Sequence, residues 1–223
     1  MASTPLRYQG AAATLQGRSH AENQDAWVMV RSASRGSLYA VADGVSTSRR
    51  GQWAARHACA RVGGLLRERR ALEVEDLLQV VSEVDWELRE EGRGSAACTL
   101  SVAWLRQDRA CVLHVGDSAV YHLRGGKATR LSQDMGRGAR LVSYLGMGAA
   151  VSDRMQVLCE PLQEQDGLLL LTDGVNKVLR PQELAAWWRR IDGDPPTCVR
   201  GLVTEVQRRQ GLDDATVVAV KVG

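Results

Sequence analysis

Aspartates recur in this chain where short apolar runs begin or end. Asp25 precedes 26–30, Asp43 follows 38–42, Asp117 lies two residues beyond 110–115, Asp173 follows 168–171 and one threonine, and Asp213 stands just ahead of 215–222. A carboxylate at the mouth of a rigid buried strand is held still yet reaches solvent, which suits a hard divalent cation such as Mg2+ or Mn2+. Each aspartate taken singly has a blander reading. Asp43-Gly44 and Asp173-Gly174 are dipeptides of ordinary turns, Asp117 can cap a turn through its own backbone, and Asp213-Asp214 can be a solvated acidic pair. The shared context favours a common site, because independent turns have no reason to set an aspartate at the boundary of nearly every core strand.

The elements that must position these residues follow from hydrophobic periodicity. Residues 26–30 and 38–42 read as buried strands joined by the polar stretch 32–36, a first hairpin. Ala54, Ala58, Val62, Leu65 and Leu66 recur at helical spacing within 50–70, and Leu77, Leu78, Val81, Val84 and Leu88 repeat the pattern. Next, 99–105, 110–115 and 119–123 look like successive strands of an antiparallel meander, with a glycine turn at Gly125-Gly126 into a strand at 128–131. The weakly patterned, glycine-rich segment 132–150 is a candidate mobile flap. Strands are predicted at 156–159 and at 168–171, the latter buried on both faces because it lacks polar alternation. Pro181 and Pro195 open two closing helices, and 215–222 is a last strand. Strands cluster and helices come in pairs, which predicts an α+β fold with helices packed on sheets.

A length of 223 residues with 44% apolar content suits a single domain over 1–223. The 29 basic and 26 acidic residues are interleaved, so no basic stripe forms a nucleic-acid groove. The five cysteines, at 59, 98, 111, 159 and 198, form no C-x-x-C pair and sit mostly in apolar stretches, as small buried hydrophobes do; this points to a reducing compartment. The first residues lack a signal-peptide pattern, and no apolar window approaches the roughly 18 residues of a membrane helix. A soluble cytoplasmic protein without a membrane or nucleic-acid partner is the expectation.

The ordered blocks Val41-Ala42-Asp43-Gly44, His114-Val115-Gly116-Asp117-Ser118, Leu170-Leu171-Thr172-Asp173-Gly174 and 211–220 (GLDDATVVAV) resemble those of the type 2C metal-dependent protein phosphatases. The resemblance covers nearly the whole chain and matches a compact bacterial member. It implies an αββα sandwich, two antiparallel sheets flanked by helix pairs, with a binuclear Mn2+ or Mg2+ centre at one end. It also implies hydrolysis of phosphoserine and phosphothreonine by direct attack of metal-activated water. The substrates implied are phosphorylated proteins, targets of a Ser/Thr kinase. Carried over by position, Asp43 resembles the carboxylate that bridges both metals, the Gly44 carbonyl a ligand of one, and Asp173 and Asp213 ligands of the other. Asp117 matches the residue that joins Asp173 in holding a weaker third ion, and Asp25 matches the aspartate of an N-terminal Asn-Glu-Asp block, here Asn23-Gln24-Asp25.

The match departs from the family pattern in several places. Where the family commonly holds the substrate phosphate with an arginine, this chain has His20, with Arg18 two residues upstream; either can donate to a phosphate. Gln24 replaces the glutamate, and Val45 stands where some relatives carry a histidine that protonates the leaving oxygen. Asp214 replaces an asparagine and adds a negative charge near the metals, while Asp134-Met135 replaces Asp-His at the flap. His57 and His114 look structural. A second reading is a catalytically impaired phosphatase-fold protein that binds phosphoproteins as a regulatory module.

Overall fold

The computed structural model describes residues 6–68, 72–137, 140–148 and 151–223. Strands β1 (Tyr8–Leu15), β2 (Asp25–Ser32) and β3 (Gly36–Asp43) lead into helices α1 (Gly51–Glu68) and α2 (Val74–Glu91). Strands β4 (Leu100–Arg106), β5 (Arg109–Val115), β6 (Ala119–Arg124) and β7 (Lys127–Arg130) follow, then the two-residue strands β8 (Gly136–Arg137) and β9 (Arg140–Leu141). Strands β10 (Gln156–Pro161) and β11 (Gly167–Leu171) precede the single turn α3 (Asp173–Asn176), helices α4 (Pro181–Arg190) and α5 (Pro195–Arg208), and strand β12 (Ala215–Val222).

Period-two alternation sorts the side chains into layers. Along β3, Leu38, Ala40 and Ala42 pack against α1 and α2 with Ala54, Ala58, Val62, Val81 and Val84. The intervening Tyr39 and Val41 face the other sheet and meet Leu168, Leu170, Val218 and Val220. On the far side, Leu169, Leu171, Val217 and Ala219 pack against α4 and α5 through Leu184, Trp188, Val199 and Leu202. Three apolar layers between four layers of secondary structure make an αββα sandwich. Both sheets are therefore covered on two faces, and this is why β11 is an unbroken leucine run rather than an alternating strand.

One sheet has the order β1-β12-β11-β6-β7, the other β10-β5-β4-β3-β2. The first hairpin, both helix pairs and the late strands lie where periodicity places them. The meander does not hold. Strand β5 pairs with β4 and β10, whereas β6 pairs with β11 and β7 in the opposite sheet. The chain crosses between sheets at Gly116-Asp117-Ser118, with Gly116 at φ +117°, a conformation L side chains rarely adopt. Strand β1 is absent from the sequence-based expectation because its Gly and Ala residues are poor strand formers; pairing with β12 from Tyr8↔Val222 to Leu15↔Ala215 holds it extended. Within the expected flap, β8 and β9 form a short hairpin, and residues 138, 139, 149 and 150 lie outside the described ones.

Cys59, Cys98 and Cys198 are buried thiols, as expected of small hydrophobes. Cys111 and Cys159 depart from that expectation. They face each other across the β5–β10 pair, Cα–Cα 4.1 Å, and are joined by a disulfide. An apolar neighbourhood in sequence could not show that two edge-strand residues share a register position.

At the sandwich end where β11 begins, Arg124 Nε donates to Asp166 Oδ1 at 2.8 Å and its Nη2 to Oδ2 at 2.5 Å. Burial works against ionisation of Asp166, but hydrogen bonds from Arg124 and from the Gln163 N–H outweigh it and hold the carboxyl below its ordinary value. A carboxylate with a lowered folded-state pKa stabilises the protein above its unfolded value and loses that contribution as pH falls through the folded one. Asp166→Asn should therefore lower stability by about 2 kcal/mol at neutral pH, less than for a wholly buried pair because Arg124 is half-exposed. In thermal melts the gap to wild type should close below about pH 4; a gap independent of pH would refute the ion-pair account.

Candidate metal centre

Strand direction brings the aspartates to one end of the sandwich. Strand β11 runs antiparallel to β6 and β12, and Leu171 pairs with both Ala119 and Val217. Asp173, two residues past Leu171, thus lies beside Asp117, which leads into β6, and Asp213, which leads into β12. In the other sheet Asp25 and Asp43 are direct register partners at the start of β2 and the end of β3. The Asp43 backbone is clamped there, its N–H donating to Thr99 Oγ1 at 3.1 Å and its carbonyl accepting from the Thr99 N–H at 2.8 Å.

Close packing, rather than turn geometry, explains the two Asp-Gly pairs. Neither Gly44 nor Gly174 has a positive φ. A Cβ on Gly44 would lie 2.4 Å from the Gly51 carbonyl carbon at the start of α1, and one on Gly174 would lie 2.0 Å from the Asp214 carbonyl oxygen. Each glycine lets a neighbouring segment press against the aspartate that precedes it.

Crowding of carboxylates in a partly desolvated space disfavours their charged forms. Burial, together with the charges of Asp25, Asp173, Asp117 and Asp213, raises Asp43 well above the usual carboxylate range. Asp25 is pushed up to about 7, by burial and by Asp214 and Asp173, against hydroxyl hydrogen bonds from Thr216 and Thr172. Asp117 is pushed up to about 6 by burial and Asp173, with Lys177 acting in the opposite direction. Three buried oxygens, Gln24 Oε1, Asp25 Oδ1 and Asp173 Oδ1, have no hydrogen-bond partner. Orphaned oxygens among mutually repelling carboxyls make a donor set that fits hard divalent cations and their water.

Asp43, Asp117, Asp173 and Asp213 line a cleft of about 960 Å3, together with Gly44 and the loop 45–49. Leu141, Tyr144 and Gly146 close its opposite rim. That rim is anchored to α2: buried Asp85 accepts from the Gly146 N–H at 2.7 Å and from the Gly148 N–H at 3.1 Å, while Leu145 exchanges backbone hydrogen bonds with Cys98. Among the described residues, no three His, Cys, Asp or Glu side chains converge closely enough to hold a metal ion as they stand. Lys177 Nζ lies among these carboxylates, 2.5 Å from Asp173 Oδ2 and 3.3 Å from Asp213 Oδ2.

Comparison with known proteins decides the family. The profile described as Protein phosphatase 2C matches residues 16–194. The chain belongs to the protein phosphatase 2C family. It is similar to the probable protein phosphatase 2C 69 of Arabidopsis thaliana, 30% identical over an alignment of 156 residues that covers 56% of this chain; the chain spans 44% of that relative's length. Among solved structures it is similar to PppA, described as a key regulatory component of T6SS in Pseudomonas aeruginosa, at 25% identity, TM-score 0.84, and 97% and 98% coverage of the two chains. It shares its fold with serine/threonine phosphatase Stp1 of Staphylococcus aureus (15%, TM-score 0.90, 97% and 96%). The catalytic domain of serine threonine protein phosphatase PstP, in complex with two manganese ions, has the same fold (20%, TM-score 0.83, 97% and 99%).

In this phosphatase-family chain the aspartates singled out by sequence meet at one end, with Asp25 behind the cleft wall and its Oδ2 accepting from Thr172 Oγ1 at 2.8 Å. His20 and Arg18 do not line the cleft. His20 Nδ1 is 2.8 Å from Asp214 Oδ2 and 3.7 Å from Asp213 Oδ1, and Asp214 also accepts from the backbone N–H of Gly17 at 2.7 Å and of Gln24 at 2.8 Å. Asp214 is thus buried outside the cleft lining and ties the 17–24 loop down. His57 and His114 are structural, paired with Glu87 and with Ser101 Oγ respectively, and burial pushes His114 down to about 4.

Sequence reasoning missed the two cleft cations, Arg49 and Lys177. For Lys177 a signal existed: it lies four residues after Asp173, the spacing at which one helical turn brings side chains together. Asp214→Ala removes an acceptor that serves two backbone donors and one imidazole, and it should destabilise the fold by about 2–4 kcal/mol. Urea unfolding checks this; a variant as stable as wild type would show that the loop is held by other contacts.

Proposed function

We propose that this chain is a divalent-metal-dependent phosphoprotein phosphatase, hydrolysing phosphoserine and phosphothreonine monoesters. The observation that carries the reading is the convergence of aspartates from both sheets on one water-accessible cleft, in a chain of the protein phosphatase 2C family. Asp43, the Gly44 carbonyl, Asp173 and Asp213 would hold two Mn2+ or Mg2+ ions, with Asp117 and Asp173 contributing to a weaker third. Asp25, behind Asp43, would accept from the water around them. Ions of this kind neutralise phosphoryl oxygens and acidify water.

The chain's own residues do the rest. Among the described residues no cysteine or histidine lines the cleft, and the free thiols are buried, so a phosphoenzyme on either residue type is disfavoured and direct displacement by water is favoured. Val45 at the cleft wall offers no proton, which leaves protonation of the departing serine or threonine oxygen to water or another cleft group. Arg49, exposed on the loop after Gly44, is the cleft residue best suited to grip the phosphate bidentately; Arg18 and His20 lie outside the lining. The substrates are phosphorylated proteins made by a Ser/Thr kinase, in a bacterial cytoplasmic signalling setting. The three buried thiols support that setting, and the Cys111–Cys159 bridge is the feature it must accommodate. The described chain is one catalytic unit, and no described helix is long and apolar enough to cross a membrane.

A phosphoprotein-binding module without turnover is the second reading, favoured by the Lys177 ammonium that sits between two of the metal-holding carboxylates. One assay separates the two: hydrolysis of a phosphothreonine peptide by the purified protein with Mn2+ and after EDTA. Turnover with Mn2+, abolished reversibly by EDTA and reduced about 100-fold or more by Asp43→Asn or Asp173→Asn, is the expected result. Peptide binding without phosphate release at any metal concentration would establish the module instead. In the active protein Arg49→Ala should raise KM about tenfold with a smaller effect on kcat, and by more than His20→Ala or Arg18→Ala; the reverse order would return the phosphate grip to the 17–24 loop.

A further inference from the structure

Lys177 is the one charged group in the cleft for which the proposed chemistry has no use. Helix α3 is a single turn, and Lys177 follows directly at its C-terminal end with helical backbone angles, φ −68° and ψ −23°. This folds its side chain back over Asp173. The resulting contacts, 2.5 Å to Asp173 Oδ2 and 3.3 Å to Asp213 Oδ2, bridge two carboxylates 40 positions apart in the sequence, the pair assigned above to a single divalent ion. Both Oδ2 atoms are engaged by the ammonium, while the buried Asp173 Oδ1 has no partner. The Lys177 side chain is otherwise free to move, being 62% exposed on a flexible four-carbon stem. Asp43 and the Gly44 carbonyl, which would hold the other ion, make no such contact with it.

We propose that Lys177 is a tethered counter-ion: it holds Asp173 and Asp213 together in the metal-free protein, and it must swing out to solvent before the second divalent ion can bind there. It thereby sets how much metal the protein needs. The inference rests on the metal-dependent reading above. A divalent cation competes for the same oxygens with twice the charge and no tether, so binding is a linked exchange in which every contact kept by the ammonium weakens the incoming ion. Loading then proceeds in two unequal steps, a tighter one that leaves Lys177 in place and a weaker one contested by it. If the ammonium instead stayed in place as a permanent substitute for an ion, the number of ions bound would be one fewer than the carboxylates could take.

Calorimetric titration of the metal-free protein with Mn2+ tests this without reference to turnover. Lys177→Gln, neutral and of similar length, should tighten the weaker step about tenfold and leave the tighter step within about twofold, with the same number of ions bound. It should also lower the melting temperature without metal, because Asp173 and Asp213 lose their counter-ion, and enlarge the upward shift that Mn2+ produces. Lys177→Arg, which keeps the charge, should retain a weak second step. In wild type, the 15Nζ resonance of Lys177 should move to the position of a solvated lysine only as the second equivalent of Mg2+ binds, a measurement that depends on no variant folding. Isotherms that superimpose, a variant that gains an extra ion at unchanged affinity, or an Nζ resonance indifferent to Mg2+ would each overturn the proposal. A folded wild type that binds no divalent ion would instead overturn the metal-dependent reading itself.

Discussion

Negative charge gathered at one end of two stacked sheets is the constraint around which this protein is organised. Carboxylates cannot be brought together in a partly dry space and all remain ionised unless cations accompany them. The strand ends make the gathering unavoidable, since Asp43 and Asp25 are register partners in one sheet while Asp117, Asp173 and Asp213 flank adjacent strands of the other. The sandwich supplies the rigidity: apolar layers on both faces of both sheets fix the strand ends far more firmly than loops alone could.

Two kinds of positive charge can answer that demand, and the chain has provision for both. Lys177 is the protein's own and reaches only Asp173 and Asp213. It leaves Asp43, whose neighbours are carboxyls on several sides, without a counter-charge of its own. Asp214 shows how differently an adjacent carboxylate behaves when it is turned inward. One residue from Asp213, it is satisfied by two backbone donors and an imidazole, and it orders a loop.

The individual aspartates were legible in the sequence because each interrupts an apolar run, and the layering was legible because strands and paired helices carry distinct periods. Their convergence could not be read from periodicity, since it depends on strand order and direction; the assumed meander would have kept β6 in the sheet with β5. Strand β1 escaped notice because its stability lies in its partner β12, not in its own alanines. Turn chemistry was the wrong physics for Gly44 and Gly174, where a tight contact with a segment distant in sequence is what excludes a side chain. Arg49 and the Cys111–Cys159 bridge were invisible for a similar reason, as each depends on what lies across from it in space.

Strand β12 lies between β1 and β11, and the residues just before it hold both Asp213 and the carboxylate that secures the 17–24 loop. During synthesis these residues leave the ribosome after every other described element. Until then β1 has no neighbour to pair with and β11 exposes an unpaired edge of leucines. The nascent chain thus carries a half-built sheet and an incomplete cleft until these residues emerge, and before then the carboxylates of the two ends of the sequence cannot meet.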